Sequence, residues 1–205
     1  MQYYMLNKPK GCITASRDER HDVVMDLFDA DLRDSVFPVG RLDRDTEGFL
    51  LVTDDGELCF KLMSPKSGVE KTYFLWAVGG VNEEEIAALE RGVGITDKGD
   101  IISAPAKVKF IGRDVLYNIK HLLVGKDAKM NGRRSEIPVV CLEITITEGK
   151  KHQVKRMMRA VGCKVVYLKR LSIAGVTLDE NLPLGSYRAL TEKELETLKS
   201  AAKIL

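Results

Sequence analysis

The stretch Gly40-Arg41-Leu42-Asp43-Arg44-Asp45-Thr46-Glu47-Gly48-Phe49-Leu50-Leu51-Val52 decides how the chain is read. Its last four residues form an apolar β-like run, and Phe37-Pro38-Val39 ahead of it reads as the end of another strand. Between them Gly40 and Gly48 frame a polar loop, and glycine lets the backbone turn sharply enough to present a side chain. Asp43 has Arg41 and Arg44 close in sequence. Neighbouring cations favour the ionised carboxylate that a nucleophile or general base needs. Spacing alone goes no further, because aspartate caps turns very often.

Outward from this loop, β-like runs rich in Val, Ile, Leu and Tyr recur at residues 2–6, 49–52, 72–78, 115–124, 139–146 and 165–168. Helices fall between some of them. Asn82 with Glu85 three residues on is a capping-box start, Ile86 and Leu89 make an apolar stripe, and Gly92 ends it. Thr191 with Glu194 opens a second helix, and Asp55 ahead of Leu58, Phe60 and Leu62 a third. Strands and helices do not alternate strictly, so the expected class is α+β with a mixed or antiparallel sheet. The polar residues 125–136 read as a long loop.

Bulk properties exclude several classes. The longest apolar runs are a few residues, against roughly 20 needed to cross a bilayer, and the N-terminus reads as strand and turn, not signal peptide. No membrane partner is expected. Cys12, Cys59, Cys141 and Cys163 are widely spaced without a C-x-x-C pair, which fits reduced thiols in a cytoplasm. His21, His121 and His152 lack metal-ligand spacing, and neither phosphate-loop glycine patterns nor a G-x-S-x-G elbow occurs. The net charge is only +2, yet residues 149–170 hold eight Lys or Arg and no acid. A local basic field on a nearly neutral chain suits contact with a polyanion through one face, although a charge run is often a solvated surface.

That basic field contains Glu148-Gly149-Lys150-Lys151-His152-Gln153-Val154-Lys155-Arg156-Met157-Met158-Arg159. At about 100° per residue, Val154, Met157, Met158 and Val161 share one face, and Lys151, His152, Lys155, Arg156 and Arg159 spread over the other. Gly149 is where a strand would turn into this helix, and the helix start is placed to hold phosphates. Lys155 sits at the border of the apolar face, where it can point into a cleft. Glu70-Lys71-Thr72-Tyr73 opens the run at 72–78, and its tyrosine reads equally as a base-stacking platform or a core residue.

Together these segments resemble the pseudouridine synthases that act on ribosomal RNA. The resemblance begins at Tyr4-Met5-Leu6-Asn7-Lys8-Pro9-Lys10-Gly11 and runs through the Asp43 segment on to Thr53-Asp54-Asp55-Gly56. It includes Ser64-Pro65, Glu70-Lys71-Thr72-Tyr73 and residues 148–157, and extends to Tyr187-Arg188-Ala189-Leu190-Thr191. The tail and the Glu70 segment look most like the branch acting on the small ribosomal subunit. Many relatives carry a small N-terminal RNA-binding domain, and none is expected here because the signature starts at residue 3; such an absence resembles a large-subunit branch. Lys155 falls where most of the family has Arg, keeping the charge without the bidentate fork.

The resemblance implies a single catalytic domain over residues 1–205, an α+β fold with a mixed, largely antiparallel sheet, and two subdomains flanking a central cleft. It implies isomerisation of a uridine in RNA, without cofactor or metal, by a protein taken by default as a monomer. Asp43 would attack C1′ of the ribose or assist a glycal route, Tyr73 would stack on the base, and Lys155 would pair with Asp43. Arg41, Lys150, Lys151, His152, Gln153, Arg156 and Arg159 would contact the RNA. The partner would be ribosomal RNA or an assembling subunit, with the small subunit favoured over the large. A non-catalytic RNA-binding protein of the same fold is the second reading. A glycoside hydrolase using Asp43 with Asp45 is the third, and nothing marks the carboxylate pair it needs.

Overall fold

The structure is a computed structural model that describes residues 1–96, 98–123 and 136–204. Along the chain run β1 (Tyr3–Lys8), α1 (Ala30–Arg33), β2 (Phe37–Pro38), β3 (Glu47–Thr53), α2 (Gly56–Met63), β4 (Lys71–Val78), α3 (Glu83–Arg91), β5 (Lys107–Val115), β6 (Pro138–Ile146), α4 (Gln153–Ala160), β7 (Lys164–Ile173), β8 (Val176–Thr177), β9 (Tyr187–Ala189) and α5 (Glu192–Ala201). Strand pairs β1–β3, β1–β9, β2–β3, β5–β6 and β7–β8 are antiparallel, whereas β3 and β7 run parallel. This is the α+β class with a mixed, largely antiparallel sheet. The chain divides into two units, Met1–Lys71 with Lys169–Leu205, and Thr72–Leu168.

In the first unit β1 lies between β3 and β9. Alternation along β1 and β3 sends Met5, Phe49 and Leu51 to one face, where they bury against Leu58 and Leu62 of α2 and Leu198 of α5. Each such side chain contributes about 1.5–3 kcal/mol by leaving water. Both helices start where their sequences demand. The Asp55 carboxylate accepts from Leu58 N at 2.9 Å, and Thr191 and Glu194 exchange side-chain and backbone hydrogen bonds.

In the second unit the strand order is β5-β6-β4-β7. Four consecutive buried residues, Val139 to Leu142, mark β6 as a strand covered on both faces. Asn82 caps α3, accepting from Glu84 N and Glu85 N while Glu85 accepts from Asn82 N.

Of the strand expected at 115–124, only Val115 is in a strand, as the end of β5, and the described residues 116–123 form none. Leu116, Ile119 and Leu123 are buried at a helical spacing, and a 3-10 turn occupies Lys120–Leu122. The strand lies just before, in β5, whose Lys-Val-Lys-Phe-Ile sequence is largely exposed and carries no alternation to read. The loop expected at 125–136 lies, but for Glu136, outside the described residues. Among the described residues no helix is long and apolar enough to cross a membrane.

Candidate active site

The Asp43 loop of the first unit is held from below by the end of β1. Lys8 is fully buried, and its ammonium donates to the carbonyl oxygens of Pro9 at 2.9 Å, Asp43 at 3.2 Å and Thr46 at 3.0 Å. A buried ammonium is tolerated only when satisfied in this way. Burial pulls Lys8 below the usual lysine range, while Cys12 and the carboxylates of Asp45, Asp43 and Glu47 work against that fall. The Thr14 hydroxyl donates to Leu42 O at 2.9 Å and accepts from Leu42 N at 3.1 Å. Arg44 Nε donates to Gly11 O at 2.7 Å, and Gly11 N donates back to Arg44 O at 2.8 Å. Thr46 N closes the turn on Asp43 O at 3.1 Å.

The framing glycines are required by close approach. Gly48 adopts φ +103 against the Arg170 backbone and leaves no room for a Cβ. Gly40 adopts φ +71, where a Cβ would run into the Met63 sulfur. Arg170, nearly fully buried, donates from Nε to Phe49 O at 2.7 Å. The result is a half-buried Asp43 whose backbone is fixed at several points. Preorganised charge of this kind is what stabilises a developing cation without reorganisation at the moment of reaction. Arg41, two residues before Asp43, is exposed.

The second unit carries the other expected site residues. Tyr73 is buried on β4. On α4 the inward face is Gln153, Val154, Met157 and Met158, with Lys155 and Arg156 half-buried beside it. Lys150, Lys151, His152 and Arg159 are exposed. The turn into α4 is made by His152 at φ +54, not by Gly149 as its sequence position led us to expect. One residue grouped with the RNA contacts is turned inward. Gln153 is 3% exposed; its amide donates to Glu148 at 2.6 Å and accepts from Lys150 N at 2.9 Å. The Gln153 amide thus braces the turn ahead of α4 from inside.

Glu148 is the hub of that brace and was missed as a working residue. It accepts from Ala104 N at 2.8 Å, from Gln153 and, at 2.6 Å, from the Lys150 ammonium. Burial alone would raise its pKa, but these hydrogen bonds outweigh burial and hold it below the usual carboxylate range. Beside α4 lies a groove of about 540 Å³ lined by Gly94, Ile95, Thr96, His152, Lys155, Arg156, Arg159 and Ala160. Lys8 was the other omission. A lysine between Asn7 and Pro9 reads locally as a turn residue, and only tertiary structure reveals its three carbonyls.

A family model for RNA pseudouridylate synthase matches residues 2–160. An uncharacterized RNA pseudouridine synthase of Bacillus subtilis, YtzG, is 44% identical over 197 residues, covering 96% of this chain and 72% of that protein. Ribosomal small subunit pseudouridine synthase A of Haemophilus influenzae is 37% identical, covering 96% of this chain and 73% of that protein. Ribosomal large subunit pseudouridine synthase B of Bacillus subtilis is 34% identical, covering 98% and 72% respectively. A crystal structure of a pseudouridylate synthase superposes with a TM-score of 0.77 at 36% identity, over 96% of this chain and 73% of that one.

Proposed function

The chain belongs to the RNA pseudouridylate synthase family, and on that footing we propose that it isomerises one uridine to pseudouridine in ribosomal RNA, with Asp43 as the reacting carboxylate. The observation that carries this reading is the Asp43 loop, fixed on buried Lys8 within the family's matched region. Isomerisation breaks the C1′–N1 bond, leaves its electron pair on the uracil, and forms a C1′–C5 bond; C5 then loses its proton and N1 gains one. A fixed anion near C1′ stabilises the cationic sugar in between. Asp43 meets that need either by bonding to C1′ or by assisting a glycal route. Tyr73 stacks on the detached uracil and keeps it from diffusing away. Lys155 supplies balancing positive charge.

The target uridine leaves its helix to react, at a cost of a few kcal/mol. Lys150, Lys151, His152, Arg156, Arg159 and Arg41 contact the RNA, mainly its backbone, giving salt-dependent binding with little sequence preference. Both units serve one catalytic domain, working as a monomer in the cytoplasm. Small-subunit RNA is the favoured substrate, supported by relatives at 33–37% identity named for that subunit. The relative named for the large subunit, at 34%, supports the second reading.

Mapping pseudouridines in ribosomal RNA from cells with and without the gene tests this. Loss of one small-subunit site is expected. Loss of one large-subunit site instead would move the target to that subunit, and no loss at all would contradict ribosomal RNA as the substrate.

A further inference from the structure

Strand β5 ends the sheet and, among the described residues, pairs with β6 alone. Alternate residues of such an edge strand turn their backbone N–H and C=O groups outward, where a further strand can pair with them. Lys107, Val108, Lys109 and Phe110 pair in step with Thr145, Ile144, Glu143 and Leu142, after which Gly112 pairs with Cys141. Ile111 is therefore the extra residue of a β-bulge, and the regular edge open to pairing is 107–110. Nothing in the isomerisation described above uses this edge.

The two faces of the edge differ. Val108 and Phe110 share the face of Ile144 and Leu142, whereas Lys107 and Lys109 share that of Thr145 and Glu143. Phe110 and Ile111 are 41% and 42% exposed, and the Arg113 guanidinium lies 4.9 Å from the centre of the Phe110 ring. Apolar side chains on an open edge are a hazard unless a partner covers them. Lys109 reaches Glu143 at 3.7 Å from a largely exposed position, and so open an ion pair is worth little.

Charge decides which strand fits. Two copies of β5 laid antiparallel set like charges opposite each other, residue for residue. Centred on Phe110, Lys107 faces Arg113; centred on Lys109, that lysine faces its own copy; centred on Ile111, Lys109 faces Arg113. Like charges directly opposite are destabilising, so a second copy is disfavoured. A nucleic acid meets the lysines but brings no alternating backbone donors and acceptors for the edge.

We propose that the outer edge of β5 docks an extended acidic segment of a partner protein, which adds a strand beside residues 107–110. The backbone of that segment completes the outward hydrogen bonds of β5. Its acidic side chains face Lys107 and Lys109, and its alternate, apolar side chains cover Phe110. The lysines that repel a second copy thus select an acidic strand. The bulge at Ile111 ends the pairing, so the contact is short and the complex transient. This surface stands apart from the isomerase reading and does not depend on it.

Fluorescence anisotropy tests the edge with a labelled peptide of about ten residues alternating glutamate and valine, long enough to span one strand. A peptide alternating lysine and valine is the control for charge. Two further versions of the acidic peptide, N-methylated on every valine or on every glutamate, test the backbone pairing. Because alternate N–H groups point to opposite edges of a strand, one methylated version should lose binding and the other keep it. Lys109→Glu should weaken the acidic peptide about tenfold, and Phe110→Ser about fivefold. Both side chains are exposed, so tritium release from C5-labelled uridine should match the wild type in both variants. The proposal is overturned if the acidic peptide does not bind, if the basic peptide binds equally well, if Lys109→Glu leaves the affinity unchanged, or if both methylated peptides bind like the parent. Sedimentation showing a wild-type dimer that Phe110→Ser dissociates would give the edge to a second copy instead. RNA binding lost in Lys109→Glu without any peptide binding would give it to nucleic acid.

Discussion

The ammonium of Lys8 donates to the main-chain oxygen of Asp43 at 3.2 Å and to that of Thr46 at 3.0 Å, so one buried cation ties both ends of a tight turn to β1. Replacing it with Met keeps the volume and removes the donors. The Pro9 and Thr46 oxygens lose the ammonium, each at about 1–3 kcal/mol, while Asp43 O keeps its bond from Thr46 N. Lys8→Met is expected to lower the melting temperature by roughly 5–15 °C and to reduce kcat by more than its effect on RNA affinity. Thermal melting with steady-state kinetics checks both.

Gly48 holds φ +103 with the Arg170 backbone against its α-carbon, so Ala there meets both a disfavoured conformation and a steric block. Gly48→Ala is expected to cost about 2 kcal/mol or more, by analogy with overpacked sites. Urea unfolding gives the value. A neutral outcome would mean that β3 and β7 separate more easily than their backbone contact implies.

The Arg188 guanidinium grips Glu194 with two bonds of 2.8 and 2.9 Å and reaches Asp179 at 2.8 Å. The Arg188 hydrogen bonds, working against burial, pull Glu194 from 4.5 to about 2. Its folded pKa lies below its unfolded one, so its stabilisation is complete above pH 4.5 and disappears as pH falls towards about 2. Glu194→Gln should lose about 1.5–3 kcal/mol at neutral pH, and the gap to wild type should close across that acid window. Melting curves at several pH values read this out.

Lys71 is buried, and its ammonium donates to Val69 O at 3.0 Å. Burial, with Arg170 adding to it, lowers Lys71 from 10.5 to about 8. Between those values the unfolded chain holds a proton that the folded chain has released, so stability rises with pH across the window. Lys71→Met removes the cost of burying the charge. It should raise the melting temperature at pH 7 by roughly 2–4 °C and flatten the rise above pH 8.

Much of the fold is local and was legible. Asn82, Thr191 and Asp55 carry their helix starts in their own side chains, and capping geometry needs no distant partner. β4 and β6 are dense in branched and aromatic residues, so they read as strands. β5 did not, because its residues are largely exposed and its identity comes from pairing with β6. The Asp43 loop stood out through its two glycines, and both prove to be close-approach positions. The supports of the site were silent. Lys8 is joined to Asp43 across 35 positions of sequence, and Glu148 to Ala104 across 44. Such pairings leave no trace in local spacing. Gln153 misled for a different reason: its partners Glu148 and Lys150 are near in sequence, but local spacing does not reveal which way an amide points.

The most direct measurement is tritium release from C5-labelled uridine in ribosomal RNA by the Asp43→Asn variant, alongside its affinity for the same RNA. The substitution preserves shape and removes the anion. Release should be abolished while RNA binding stays within about twofold of the wild type, because Asp43 makes no phosphate contact in this account. Release at the wild-type rate would show that Asp43 is not the reacting carboxylate.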